Sequence, residues 1–241
     1  MPVDLQQLMR FDTPTICNAI ELFEVRPRNA GYMDGRIRAC FPEMPPIAGY
    51  ASTAAMRCAA PREEGDVYSS LDEQVGRFSE LPGPAIVVFQ DLDDPPVAAT
   101  FGEIMCSTYQ AFGAVGLITS GAARDVDQVR AIGFSAFSDG TICSHGYSHI
   151  VELHRTVRVG GVSVRAGDLL HADANGVTTI PPEIAGELTQ VAAEYMAAEA
   201  ILLDHLKSGA PTAASFKDAR GQMMSVVAAL AKRVRRPAVI R

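Results

Sequence analysis

Residues Gly102–Asp125, which read GEIMCSTYQAFGAVGLITSGAARD, are the stretch that decides the predicted fold. Gly102 and Glu103 are typical of the start of a short helix, and Gly113 occupies the left-handed position that closes one. The run Ala114–Thr119, AVGLIT, has the length and the β-branched content of a buried strand. A helix followed by a buried strand is the repeating element of α/β proteins, so this stretch predicts an α/β fold.

Arg124 and Asp125 follow directly after the end of that strand, which Ser120 and Gly121 interrupt. Ligands bind at such strand ends in open α/β sheets. Glu103 and Arg124 are separated by twenty residues, the length of one helix and one strand. The two ends of the unit are therefore expected at the same edge of the sheet.

The composition is that of an ordinary globular protein, and it excludes several function classes. Of the 241 residues, 48% are apolar and 20% are charged, with a net charge of −7. This negative charge argues against a nucleic-acid surface, and the basic residues at 232–236 form only a weak patch. The five cysteines are scattered and form no CxxC pair, which favours reduced thiols over disulfides or a zinc site. No signal peptide and no membrane-spanning run is found, so we expect a soluble, cytoplasmic protein.

The rest of the chain predicts one α/β domain over residues 1–241, with a core at about 10–210 and helices at both ends. The loop-rich segments are 26–46 and 138–149, the latter polar. Helices are predicted at 14–23, 66–77, 181–207 and 214–232, and strands at 50–59, 85–90, 134–137 and, as short hairpins, across 150–180.

Arg124 and Asp125 allow two interpretations. Asp125 is well placed to cap a helix that begins at Val126, with Arg124 in solvent. Alternatively, Asp125 supplies a carboxylate oxygen to a divalent cation such as Mg²⁺, which needs only one or two protein carboxylates. Arg124 then faces an anionic substrate, because its planar guanidinium can donate two parallel hydrogen bonds.

Glu103 is similarly ambiguous. A glutamate in a first helical turn commonly complements the positive end of the helix. The free amides of a helix that begins at glycine also bind small anions, and Glu103 could hold metal-bound water.

Glu199 falls on the apolar face of the predicted long helix. A carboxylate there is costly unless it is paired or coordinated, so either the face lies at a subunit interface or Glu199 serves a site. The apolar residues of this face are Leu188, Val191, Tyr195, Leu202 and Leu206.

Two histidines, His145 and His149, are four residues apart, but the intervening Gly146 favours a loop over a metal-binding helix. We expect them at the surface or lining a substrate pocket. The chain has no GxSxG, P-loop or GxGxxG pattern, which argues against hydrolase, kinase and NAD-enzyme functions.

The unit formed by Glu103, twenty residues and Arg124-Asp125, followed by GGVSVRAGDLLHADANGVTTIP, resembles the divalent-metal-dependent pyruvate aldolases. Their type member is 4-hydroxy-4-methyl-2-oxoglutarate/4-carboxy-4-hydroxy-2-oxoadipate aldolase, and the regulator of ribonuclease activity A shares their fold. The resemblance covers about residues 10–210. It implies a swivelling ββα-type sandwich (RraA-like) with flanking N- and C-terminal helices, assembled as trimers or hexamers with sites between subunits.

The resemblance also implies a role for each candidate residue. Asp125 is expected to bind Mg²⁺ or Mn²⁺, and Arg124 to contact the pyruvyl oxygen. The amides of Ile104 and Met105, at the helix that Gly102 opens, are expected to hold the substrate carboxylate. Catalysis is expected to involve Arg124, Glu103, which orients metal-bound water, and Glu199, contributed by a neighbouring subunit.

The implied activity is the cleavage of 4-hydroxy-2-oxo acids to pyruvate, with decarboxylation of oxaloacetate as a related reaction. Glu103 stands where the family usually has Asp, and Ser120-Gly121 where it often has Asp-Gly. A non-catalytic, protein-binding regulator of ribonuclease activity is the alternative. That branch typically lacks the aspartate of Arg-Asp, and Asp125 is present here, which favours an enzyme. Methyl transfer is disfavoured, because no glycine-rich cofactor loop follows a first strand.

Overall fold

The computed structural model describes residues 3–65 and 70–236. The chain divides into two compact units, one spanning residues 31–180 and the other combining 1–30 with 181–241. The helices are α1 (Leu5–Leu8), α2 (Thr13–Phe23), α3 (Leu71–Gly76), α4 (Glu103–Ala111), α5 (Val126–Ala131), α6 (Ala185–Lys207) and α7 (Ala213–Val234), with a 3₁₀ turn at Arg77–Glu80. The strands are β1 (Arg38–Ala39), β2 (Ile47–Arg57), β3 (Ala85–Asp91), β4 (Ala99–Phe101), β5 (Gly116–Thr119), β6 (Ala122–Ala123), β7 (Ser135–Ser138), β8 (His149–Leu153), β9 (Val157–Val159), β10 (Val162–Val164), β11 (Leu169–Asp173) and β12 (Gly176–Ile180).

The unit of residues 31–180 is built on an eight-stranded mixed sheet. Its strand order is β1-β7-β5-β3-β2-β11-β12, and β8 pairs with the later part of β2. The pairs β7–β5, β5–β3 and β3–β2 are parallel, whereas β1, β8, β11 and β12 are antiparallel to their neighbours. The four central parallel strands carry the predicted α/β character.

Both faces of the central strands are covered, which explains their continuous apolar sequences. In β3, Val87 and Phe89 belong to one buried cluster, whereas the alternating Ile86 and Val88 belong to another. The first cluster includes residues of α3, α4 and α5, and the second includes residues of β9 and β10. A strand that buries every side chain shows no alternation of polar and apolar residues, as AIVVF at the start of β3 illustrates.

The other unit is helical, and α2, α6 and α7 pack against one another. Asp12 accepts a hydrogen bond from the Thr15 amide at 2.8 Å, and Pro14 lies in the first turn of α2, which together fix the start of that helix. Arg233 of α7 makes an ion pair with Glu194 of α6 at 2.8 Å. None of the helices in the described ranges is long and apolar enough to span a membrane.

Most predicted elements are confirmed, with shifted ends. The predicted helix 66–77 is shorter, since α3 begins at Leu71 and residues 66–69 lie outside the described part of the chain. The long helix begins at Ala185 rather than at the prolines 181 and 182, because Ile184 is its N-cap. Two short strands, β4 and β6, were not predicted. The assignment of the whole chain to one domain stays a prediction.

Candidate active site

The short parallel pair of β4 and β6 explains why twenty residues separate Glu103 from Arg124. Phe101 pairs with Ala123, so the next residues along the two strands, Gly102 and Arg124, lie side by side. The Arg124 amide donates a hydrogen bond to the Phe101 carbonyl at 3.2 Å, which extends this pairing. The start of α4 and the Arg124-Asp125 pair are thereby brought together, as the sequence predicted.

The side chain of Asp125 bonds to α4 and leaves its own helix, α5, without a side-chain cap. Asp125 has a left-handed backbone, with a φ of 53°, and is the N-cap residue of α5. Its Oδ2 accepts a hydrogen bond from the Glu103 amide at 3.1 Å and lies 3.8 Å from the Arg124 Nε. The interpretation of Asp125 as a mere cap of its own helix is therefore wrong.

Gly102 leaves the space that this arrangement needs. A Cβ at this position would lie 2.5 Å from the Asp125 Oδ2, closer than side-chain carbons approach other atoms, and 3.0 Å from the Arg124 Nε, which is a tight contact. Any other residue at 102 would displace the carboxylate or the guanidinium.

Gly102 and Arg124 line a small pocket, and Asp125 lies beside it without being one of its lining residues. Ile104 and Met105, in the first turn of α4, have amides without intrahelical carbonyl partners, because the first helical bond runs from the Cys106 amide to the Gly102 carbonyl. Such amides bind anions. The lining residues are Ala99, Thr100, Phe101, Gly102, Ile104, Met105, Arg124, His145 and Ser148.

The donor set beside this pocket suits a hard divalent cation. Asp125 is partly exposed, and the hydrogen bond and ion pair that the structure gives its carboxylate both involve Oδ2, which leaves Oδ1 to face solvent or an ion. Glu103 is exposed one residue after Gly102 and adds a second carboxylate. Mg²⁺ and Mn²⁺ accept oxygen ligands and retain several waters, so one direct carboxylate with a second nearby fits them.

Glu199 lies on α6, in the helical unit, and is not buried. The Tyr195 hydroxyl lies close to its carboxylate, and burial, followed by the negative charge of Glu199, raises the pKa of Tyr195. Of the predicted apolar face, Leu188 and Val191 are buried, but Leu206 is 41% exposed. The apolar face that includes Glu199 is thus only partly covered in the isolated chain, and its assignment to a subunit interface or to a site stays a prediction.

Sequence reasoning missed a buried polar cluster at the end of β3, formed by Cys58, Asp91 and Asp93. The Asp93 Oδ2 accepts hydrogen bonds from the amides of Cys58 at 2.7 Å and Ala59 at 2.9 Å, and the Asp93 amide donates to the Asp91 Oδ1 at 2.9 Å. Burial raises the pKa of Asp91 to about 6 and that of the Cys58 thiol to about 12. These bonds hold a loop in place. The sequence signal was DLDDPP, whose acidic residues follow a strand directly.

The two histidines have different surroundings. The His149 Nδ1 bonds to the Tyr147 carbonyl at 2.7 Å, and His149 is buried as the first residue of β8. His145 is partly exposed and lines the pocket beside Arg124. The expectation of a pocket-lining histidine is confirmed for His145.

The fold and the site together define a mixed α/β protein whose candidate site is built from an Arg-Asp pair and a helix N-terminus. The sequence profile of the RraA-like family, described as Aldolase/RraA, matches residues 13–179. The chain belongs to this family.

Two solved structures share the fold. An uncharacterized protein from Pseudomonas syringae pv. tomato superimposes with a TM-score of 0.71 at 20% identity, covering 92% of this chain and 95% of its own. Streptomyces coelicolor RraAS2, described as an unusual member of the RNase ES inhibitor RraA protein family, gives a TM-score of 0.63 at 22% identity, covering 81% of this chain and 93% of its own. The predicted RraA-like fold class is thereby confirmed.

Two relatives, from Halalkalibacterium halodurans and Hahella chejuensis, carry a provisional enzyme name. A protein from Halalkalibacterium halodurans, provisionally named 4-hydroxy-4-methyl-2-oxoglutarate aldolase, is 34% identical over 105 residues, which cover 43% of this chain. The match spans about half of that relative's length, 49%.

Proposed function

We propose that this chain is a divalent-metal-dependent lyase that cleaves 4-hydroxy-2-oxo acids to pyruvate and also decarboxylates oxaloacetate. One observation carries the proposal: the Asp125 carboxylate turns away from its own helix to the start of α4, beside Arg124 and the free helix amides. A proposed cation ligand, a fixed positive charge and an anion-binding helix end thereby lie next to one another.

In this proposal, Asp125 binds Mg²⁺ or Mn²⁺ directly, and Glu103 orients water in the coordination shell. When bound, the cation supplies Lewis-acid stabilisation of negative charge that develops on the 2-oxo oxygen. Glu103 stands where the family usually has Asp and is one methylene longer, and it is exposed in this structure.

Arg124 and the helix amides orient the substrate. The amides of Ile104 and Met105 bind the C1 carboxylate, because they point out of the first turn with no partner in the helix. Arg124 donates to the 2-oxo oxygen and stabilises the enolate that forms when the C3–C4 bond breaks. Decarboxylation of oxaloacetate produces the same enolate, so both reactions use the same groups.

Schiff-base chemistry does not suit this pocket. A Schiff-base aldolase needs a lysine amine beside the substrate carbonyl, and none of the described residues that line the pocket is a lysine. The only cationic side chain that is always charged there is Arg124, which cannot act as a nucleophile at neutral pH.

Pyruvate release from a 4-hydroxy-2-oxo acid and from oxaloacetate tests the proposal, with Mg²⁺ and with a chelator. Chelation is expected to abolish both reactions, and so is Asp125→Asn. Asp127→Asn is the matched control, because Asp127 is two residues away and its side chain is 90% exposed. Activity that survives chelation, or that survives in Asp125→Asn, refutes the proposal.

We further propose that the active form is a trimer or hexamer in which a neighbouring copy supplies Glu199. The partly exposed Glu199 lies between Met196 and Leu203 on α6, and both of these apolar side chains are about half exposed in the isolated chain. Mixing inactive Asp125→Asn and Glu199→Ala subunits is expected to restore activity, because mixed assemblies then contain sites with both native residues. If Glu199→Ala is fully active, this part of the proposal fails.

A further inference from the structure

Two side chains of a polar loop, His145 and Ser148, line the pocket and have no role in the proposed function above. The loop is fixed at both ends. The Ala99 amide of β4 donates to the Ser144 carbonyl at 2.8 Å, and the Tyr147 amide donates to the Cys58 carbonyl at 3.0 Å. A further bond, from the Ser148 amide to the His145 carbonyl at 3.0 Å, closes a turn that holds both side chains on the same wall.

The hydrogen bonding of His145 leaves one ring nitrogen available as an acceptor. The Nδ1 lies 2.8 Å from the Gly146 carbonyl oxygen. Because a carbonyl can only accept, the Nδ1 carries the proton, and the Nε2 of the neutral ring keeps a free lone pair. Within the described ranges, the structure gives no partner to this Nε2.

Ser148 provides a second, independent polar group in the same wall. The residue is 4% exposed, and its buried Oγ makes no well-formed hydrogen bond with any described residue. Its polar neighbour is the Cys58 thiol, whose pKa it lowers against the larger effect of burial. A thiol is a weak hydrogen-bond partner, and the Oγ is closed off from solvent, so Ser148 shapes the wall beside His145.

Cleavage of a 4-hydroxy-2-oxo acid requires a base at the C4 hydroxyl. Of the described side chains that line the pocket, His145 is the one with a neutral nitrogen that can accept a proton, since Arg124 stays charged. Arg124 and the α4 amides bind the C1 and C2 end of the substrate, so the C4 end extends toward the remaining polar groups of the wall.

We propose that His145 is the catalytic base of the cleavage reaction, an inference that rests on the proposed function. The Nε2 takes the proton of the C4 hydroxyl, the O–H electron pair forms the new C4 carbonyl, and the C3–C4 pair passes to the enolate. After the carbonyl product leaves, the protonated His145 returns the proton to C3, which yields pyruvate and restores the neutral ring.

Comparing the two proposed reactions distinguishes a catalytic role of His145 from a structural one. Oxaloacetate has no C4 hydroxyl, so its decarboxylation needs no base at this position, although it needs the same cation, Arg124 and α4 amides. His145→Asn keeps a side-chain amide that can donate to the Gly146 carbonyl in place of the Nδ1, but it removes the Nε2. His149→Asn is the matched control, because His149 makes a similar bond to a carbonyl in the same loop and does not line the pocket.

His145→Asn is expected to lower kcat for the hydroxy-acid cleavage by about 10²- to 10⁴-fold, the usual contribution of a general base. Its oxaloacetate decarboxylation is expected to change little, and its thermal unfolding temperature to match that of wild type. Equal losses in both reactions, or no loss in either, overturn the assignment of His145. A wild-type protein that lacks both reactions refutes instead the proposed function, and the assignment with it.

Discussion

Replacing Gly102 by alanine tests whether the geometry at the start of α4 controls turnover. The new Cβ would lie 2.5 Å from the Asp125 Oδ2, where an ordinary van der Waals contact begins at 3.4 Å. The carboxylate must therefore move by about 0.9 Å, or the start of α4 must shift by a similar amount. Since a misplacement of about 1 Å costs on the order of 10²-fold in rate, we expect kcat/KM to fall by about that factor.

The same substitution is expected to leave the fold intact. Gly102 has an extended backbone, with φ of −156° and ψ of −166°, which alanine also adopts. The loss of the hydrogen bond from the Glu103 amide to Asp125 costs only about 1 kcal/mol of unfolding free energy. The rate loss corresponds to about 2.7 kcal/mol of transition-state stabilisation, so the effect on activity exceeds the effect on stability.

The assay is pyruvate release at saturating Mg²⁺, combined with urea denaturation of the same samples. Gly35→Ala is the matched control, because a Cβ at Gly35 meets no atom within 4 Å and its backbone is not left-handed. Full activity in a folded Gly102→Ala protein would refute the claim that the Asp125 and Arg124 side chains must keep this position.

Two further predictions concern stability. Burial raises the pKa of Asp91 from 3.8 to about 6, so the folded state holds this proton more tightly than the unfolded state. The free energy of unfolding is then expected to fall as the pH rises from about 4 to 7. Measured by urea denaturation, wild type should lose about 3 kcal/mol relative to Asp91→Asn across this range. A difference between the two proteins that stays constant with pH would contradict the raised pKa. Thr212 caps α7 by accepting from the Ser215 amide at 3.1 Å, so Thr212→Ala should lower the unfolding free energy by about 1 kcal/mol; an unchanged urea midpoint would argue against this cap.

The central strands could be predicted because local sequence and tertiary environment agree. A strand covered on both faces is apolar throughout, and β3 with AIVVF shows this pattern directly. The spacing between Glu103 and Arg124 could be interpreted for the same reason, because one helix and one strand return the chain to the edge from which it started. The pairing of Phe101 with Ala123 could not be predicted, since strands of two or three residues carry no periodic signal.

The details of the site depended on contacts that the sequence does not encode locally. Asp125 precedes a helix, which favours capping, yet its left-handed backbone directs the carboxylate to α4. Asp93 accepts a hydrogen bond from the Cys58 amide, 35 residues away in the chain, and no short-range pattern predicts such a bond. What covers the apolar face that includes Glu199 could not be predicted, because helical periodicity gives the direction of a side chain and not what covers it.

Binding of Mn²⁺, followed through the electron paramagnetic resonance signal of the free ion, tests the central claim most directly. Wild-type protein and Asp91→Asn are expected to bind the ion and reduce the free-ion signal, whereas Asp125→Asn is expected to leave it unchanged. Undiminished binding in Asp125→Asn, or loss of binding in Asp91→Asn alone, would contradict the account and place the ion at the cluster of Cys58, Asp91 and Asp93 instead.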